Sequence, residues 1–298
     1  MMNALKNQQL ETKKKIGVIG LSIGTAAFLT SLKLSVGILT HSLGLIASAV
    51  DSLMDVLVSS ANLIAAKEAD KPADREHLYG HGKIESLAGL FQSLLILGSG
   101  VYLVIESVRR FQTGSTLWHV PAAIVVMTVS LCVTLFLVLK LRRVLSETKS
   151  IIVGTEELHY TIDFLTNGGI ILALILVQVT GSSIWDLAIA GCVALYVVKQ
   201  AFGIMKKSID DLLDRALPPD EQKKIEELIL QFDPRIVGFH NLRTRKIGKK
   251  RFIDFHFEIQ GEENFKRAHA LTEALIKRIK AHFPDADVTV HYDPEGAD

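Results

Sequence analysis

Residues Ser48-Ala49-Val50-Asp51-Ser52-Leu53-Met54-Asp55 put two carboxylates four positions apart inside an apolar run from about Leu43 to Ala66. Wound as a helix, that run is long enough to cross a bilayer, and the i, i+4 spacing sets Asp51 and Asp55 on one face near its middle. An ionised carboxylate at that depth costs at least a few kcal/mol, so it must face a bundle interior or a water-filled path and meet a cation there. His159 and Asp163 repeat the spacing near the start of a second apolar run, from about Leu158 to Val179. Three carboxylates and one imidazole supply four oxygen and nitrogen donors, a set better suited to tetrahedral Zn²⁺ than to octahedral Mg²⁺. An interhelical hydrogen-bond network is the alternative. It is weakened by the two like charges within one turn, which repel in a low dielectric unless something positive joins them.

Working outward, the apolar character is concentrated before residue 205, in a chain of 298 residues with mean hydropathy +0.31. Six segments qualify as spanning helices, at about Ile16–Leu39, Leu43–Ala66, Ile84–Val108, Val120–Leu139, Leu158–Val179 and Ile184–Met205. An even number returns both termini to one side. Lys13 to Lys15, Lys67 to Lys83, Lys140 to Lys149 and Lys206 to Lys207 mark that side as cytoplasmic, while the opposite connections at 40–42 and 181–183 carry no Lys or Arg. Arg109 and Arg110 depart from the pattern, and snorkelling at the outer interface accounts for them. The net charge of +1 gives no electrostatic case for nucleic acid. Cys132 and Cys192, each inside an apolar run, are expected to be packed thiols, and His41 and His119 to be interface histidines.

Between the second and third helices, Asp74, His77 and His81 could ligate one metal in a short loop; the neighbouring Gly80, Gly82 and Lys83 do not make a phosphate loop, since no strand precedes them and the spacing is wrong. Residues 208 to 217 read as a linker. The composition then becomes that of a soluble domain, so the expected division is 1–213 and 214–298. Hydrophobic periodicity predicts a helix at Glu221–Gln231, strands at Val237–Arg245 and Arg251–Gln260, a helix at Phe265–His282 and a strand at Asp287–Tyr292, an αββαβ order. The whole is a polytopic α-helical membrane protein with a C-terminal α+β, metallochaperone-like domain. His240, His256, His269 and His291 each stand on a separate element of that domain, and Asp293 follows the last, enough ligands for one zinc or for two with a bridging carboxylate. His282, at a helix end, is explained by the helix dipole.

On these residues the sequence resembles the cation diffusion facilitator family, in its bacterial zinc and ferrous-iron efflux branch. The pieces that carry the likeness are Asp51-x-x-x-Asp55, His159-x-x-x-Asp163, His77-Leu78-Tyr79-Gly80-His81-Gly82-Lys83 and Gly238-Phe239-His240-Asn241-Leu242-Arg243-Thr244-Arg245. The resemblance implies a homodimer in the inner membrane that exports divalent cations in exchange for protons. It implies a transport site at Asp51, Asp55, His159 and Asp163 and a loop site at Asp74, His77 and His81. It also implies a dinuclear region of His240, His256, His269, His291 and Asp293 at the tail dimer interface. Zn²⁺ is the expected cargo, with Cd²⁺ tolerated and Fe²⁺ open to the same donors. A membrane-anchored sensor that binds metal without moving it, and a carrier of organic cations, are the competing readings. An enzyme is disfavoured, as no nucleophile and base accompany a substrate pocket.

Overall fold

The computed structural model describes residues 2–40, 43–113, 121–182, 184–248, 250–260 and 264–296. His41 and His119 lie outside them. The chain divides into two compact units, Asn7–Ile209, and Asp210–Asp298 with Met1–Lys6.

The first unit is built from α1 (Met2–Leu39), α2 (Leu43–Ala69), α3 (Lys83–Thr113), α4 (Pro121–Thr148), α5 (Ile151–Thr180) and α6 (Ile184–Leu212). Among the described residues, parts of α1, α2, α3, α4 and α6 are each long and apolar enough to span a membrane. α5, the sixth, has 30 residues, about 45 Å of helix. The burial pattern is that of a protein dissolved in lipid. Ser22, Lys33, Ser52, Ser59, Asn62, Gln92 and Glu156 are buried, while Ile64, Val179, Leu195 and Phe202 are exposed. Cys132 and Cys192 follow the outer pattern. They are exposed free thiols, not the packed ones the sequence predicts, and a weakly polar thiol tolerates a lipid-facing position.

α5 is the hub. Ile152, Val153 and Tyr160 pack with Val18 and Ile19 of α1, Ala66 of α2 and Leu137, Val138 and Leu141 of α4, whereas Leu158 and Ile162 pack with Ile96 of α3 and Val197 and Ala201 of α6. Close approach of α3 to this hub depends on Gly89, since a Cβ there would meet Ile151 Cγ2 at 2.3 Å and Ser208 Oγ at 2.9 Å. The helices outrun their expected ends. α4 continues nine residues past Leu139 and α5 begins seven before Leu158, because the charges that argue for an early stop are paired across helices. Arg142 Nε donates to Glu157 Oε1 at 2.6 Å, Lys14 Nζ to Glu147 Oε2 at 2.6 Å, and Ser150 Oγ to Glu85. α6 likewise runs to Leu212, into the stretch expected to be a linker.

The second unit has the expected αββαβ order: α7 (Pro219–Leu230), β1 (Ile236–Ile247), β2 (Lys250–Ile259), α8 (Phe265–His282) and β3 (Ala286–Pro294). The sheet order is β1-β2-β3, antiparallel between β1 and β2 and parallel between β2 and β3. Ile253, Phe255, Phe257 and Ile259 bury one sheet face against Ile225, Leu228 and Ile229 of α7 and Ala268, Leu271, Leu275 and Ile279 of α8. Strand alternation sends Asp254, His256 and Glu258 to the other face, away from α7 and α8.

Candidate metal sites

The transmembrane site forms where α2 meets α5. His159 Nε2 lies 3.0 Å from Asp55 Oδ1 and 3.8 Å from Asp163 Oδ2, and one ligand atom from each of the three residues falls within 4.8 Å of the others. The Nε2 facing both carboxylates either carries a proton between them or, once that proton leaves, offers its lone pair to the same point, so a metal and a proton compete for one place. Asp51, one turn from Asp55, is not in that cluster. It is exposed and lines the adjoining cavity of about 290 Å³ together with Asp55, His159, Gln92 and Ser99. Gln92 and Ser99, on α3, were not among the residues singled out from the sequence, because isolated polar residues in an apolar run carry no motif.

The loop group is compact as well. Asp74, His77 and His81 offer ligand atoms within 4.8 Å of one another, with His81 Nε2 3.3 Å and His77 Nδ1 3.6 Å from the Asp74 carboxylate. Asp74 accepts from the backbone N–H groups of His77 at 2.6 Å and Glu76 at 2.9 Å. The first of these above all holds its carboxyl below the usual carboxylate range. His81 Nδ1 sits 3.2 Å from the Pro72 carbonyl, which can only accept; in the neutral ring the proton therefore resides on Nδ1 and leaves Nε2 free to ligate. The turn between the histidines requires Gly80, at φ +86°.

In the tail, register builds the site. β-ladder pairing sets His240 opposite His256 and His256 opposite His291, all on the face away from the helices. Asp293 is the centre: its Oδ2 lies 3.0 Å from His256 Nδ1 and 3.4 Å from His240 Nε2, and its Oδ1 lies 3.1 Å from His291 Nε2. Glu258 Oε1, 3.3 Å from His240 Nδ1, joins the group, although nothing in the sequence distinguishes it from a solvated strand residue. A bulge between His240 and Arg243, with Asn241 at φ 54°, bends β1 just beyond the first ligand. His269 does not belong to this group within one chain. It is exposed on α8, against the opposite sheet face, with its ring stacked on Phe265 at 6.3 Å.

Residues 19–213 match the model of the cation efflux transmembrane domain, and residues 217–295 that of the cation efflux protein cytoplasmic domain. The chain belongs to the cation efflux family. Its relatives include the cation-efflux pump FieF of Shewanella oneidensis, 41% identical over 92% of this chain and 92% of that one. FieF of Serratia proteamaculans is 38% identical over 90% of this chain and 89% of the relative. The tail also aligns with the metal-bound C-terminal domain of the CzcD transporter from Thermotoga maritima, at 33% identity over 26% of this chain and 90% of that one, with a TM-score of 0.25. Like these efflux proteins, the chain is a multi-pass membrane transporter of cations and not an enzyme. Of the residues picked out from the sequence, the fold brings together Asp55, His159 and Asp163, then Asp74, His77 and His81, then His240, His256, His291 and Asp293; Asp51 and His269 stand apart.

Proposed function

We propose that this efflux protein is a proton-coupled antiporter that exports divalent metal, Zn²⁺ foremost with Cd²⁺ and Fe²⁺ behind it, from the cytoplasm across the inner membrane. The observation that carries the reading is the position of His159 Nε2 between the Asp55 and Asp163 carboxylates, beside a cavity that Asp51 also lines. Metal would enter from the cytoplasmic side and bind Asp55, His159 and Asp163 as protons leave. Asp51, which lines the same cavity, would supply the fourth ligand of a tetrahedral set. Outward opening and reprotonation release the metal. Coupling is an energetic necessity, since carrying two positive charges outward against an inside-negative potential costs about 4.6 kcal/mol per 100 mV.

The loop cluster is a second binding place on the cytoplasmic side, where both termini also lie. Two tails would associate through the face that bears Asp293. His269, on the wrong face within one chain, could reach that site from a second copy. Metal bound there draws the tails together and so couples cytoplasmic metal to transport.

The test is zinc entry into proteoliposomes under an imposed pH gradient, with a fluorescent zinc reporter inside and proton flux followed in parallel. Wild-type protein should move zinc in step with counterflowing protons, and Asp55→Ala should move none. Zinc binding without flux under any gradient would favour the sensor instead.

A further inference from the structure

Among the described residues of the membrane unit two lysines are buried, and they are treated differently. Lys15 is matched directly by acids, with its Nζ 2.7 Å from Asp70 and 3.5 Å from Glu85. Lys33, on α1 and 9% exposed, is seated on a hydroxyl: its Nζ donates to Ser52 Oγ at 2.8 Å. Ser52 lies between Asp51 and Asp55 on α2, so the ammonium is tethered within the very turn that carries the site's carboxylates. Asp51 and Asp55 stand on either side of Ser52 in the sequence of α2, and Asp55 in turn meets Asp163 across His159. These are the three acidic residues of the proposed transport site. An ammonium has donors only and cannot ligate a metal. It also carries a heavy cost in lipid unless a nearby charge answers it.

We propose that Lys33 is the fixed counter-cation of the transmembrane site, a positioning residue that sets the site's charge. Three ionised carboxylates and one divalent cation leave a single negative charge, and the Lys33 ammonium cancels it. Counted over the three aspartates, the metal and Lys33, the loaded cluster is then neutral, which lowers the cost of holding it in low dielectric. The same ammonium repels the metal and so keeps three carboxylates from holding it too tightly to let go. Ser52 keeps the ammonium close enough for both effects while leaving the carboxylate oxygens free for the metal.

This inference rests on the transport reading of the Asp55, His159 and Asp163 cluster, and the experiment separates the two. Zinc flux is measured in proteoliposomes for full-length wild type, Lys33→Met, Lys33→Gln, Lys33→Arg and Asp55→Ala, resolving KM from kcat. The neutral variants should bind more tightly and release more slowly, so KM and kcat each fall about tenfold while kcat/KM moves little. Lys33→Arg, which keeps the charge, should stay within about threefold of wild type in both. Lys33→Gln retains a donor for Ser52, so a change shared by Met and Gln but absent in Arg isolates charge from packing. Unaltered kinetics in both neutral variants, or a rise in KM, would overturn the proposal. So would failure of the Gln and Arg variants alike to fold, which assigns Lys33 to helix packing. Flux that survives in Asp55→Ala defeats the site reading itself and not the role of Lys33 alone.

Discussion

Asn62 Nδ2 donates to Glu156 Oε1 at 2.7 Å and to Gln92 Oε1 at 2.8 Å, so a single amide group about two turns along α2 from Asp55 ties α2 to both α5 and α3. Glu156 is fully buried, and its other oxygen accepts from Ser59 Oγ at 3.1 Å. Glu156→Gln keeps an acceptor for Asn62 and should fold with a small loss. Glu156→Leu removes the buried acceptor that Asn62 and Ser59 share and should cost about 2–5 kcal/mol. Thermal unfolding in detergent, comparing the two variants, checks this; equal losses would mean that side-chain volume and not hydrogen bonding decides.

His159→Asp replaces the borderline imidazole with a fourth hard oxygen donor. Zinc flux should fall at least about tenfold and manganese flux should rise, since an all-oxygen site suits Mn²⁺. Competition between the two metals in the proteoliposome assay reads the shift, and unchanged selectivity would place metal choice elsewhere.

Lys15, 1% exposed and paired with Asp70 and Glu85, holds α1 to the ends of α2 and α3. Lys15→Met leaves two acids facing each other without their cation and should destabilise the membrane unit by about 3–5 kcal/mol. The triple change with Asp70→Asn and Glu85→Gln should recover much of that loss, a comparison that thermal unfolding makes directly.

Asp293 contacts His240, His256 and His291, so Asp293→Asn should weaken zinc binding by the tail at least about tenfold while leaving the transmembrane site intact. Metal-dependent approach of two labelled tails, followed by energy transfer in the full-length protein, should shift to higher zinc. Persistence of the approach at the original zinc concentration would remove Asp293 from the site.

The Arg235 side chain and backbone, hydrogen bonded to Asp233, pull the Asp233 carboxyl down to about 2. A depressed carboxyl stabilises the fold above its unfolded pKa, near 4, and that contribution disappears as pH falls through about 2. The group is close to the surface, so Asp233→Asn should cost under about 1 kcal/mol at neutral pH, less at pH 2, and nothing well below it. Acid titration of the two proteins by circular dichroism should show the curves converging at the low end.

Local periodicity made most of this protein legible in its sequence. Six apolar runs, one i, i+4 pair of acids and one of imidazole and acid, and a strand alternating Phe with His and Asp are properties of neighbouring residues, and helix and strand geometry alone turns them into faces. Whatever depends on a distant partner was decided only in the folded chain. Charges near residues 142–157 argue for broken helices until pairing across the bundle neutralises them, and Glu156 is a surface residue by composition until Asn62, 94 positions away, meets it. Lys33 is likewise an anomaly in its own helix and becomes intelligible beside Ser52. His269 shows the converse, since a ligand's chemistry is written in the sequence but the side of the sheet on which it finally stands is not. The physical reason is one: a buried charge is tolerated only with its partner, and which residue becomes the partner is fixed by tertiary packing.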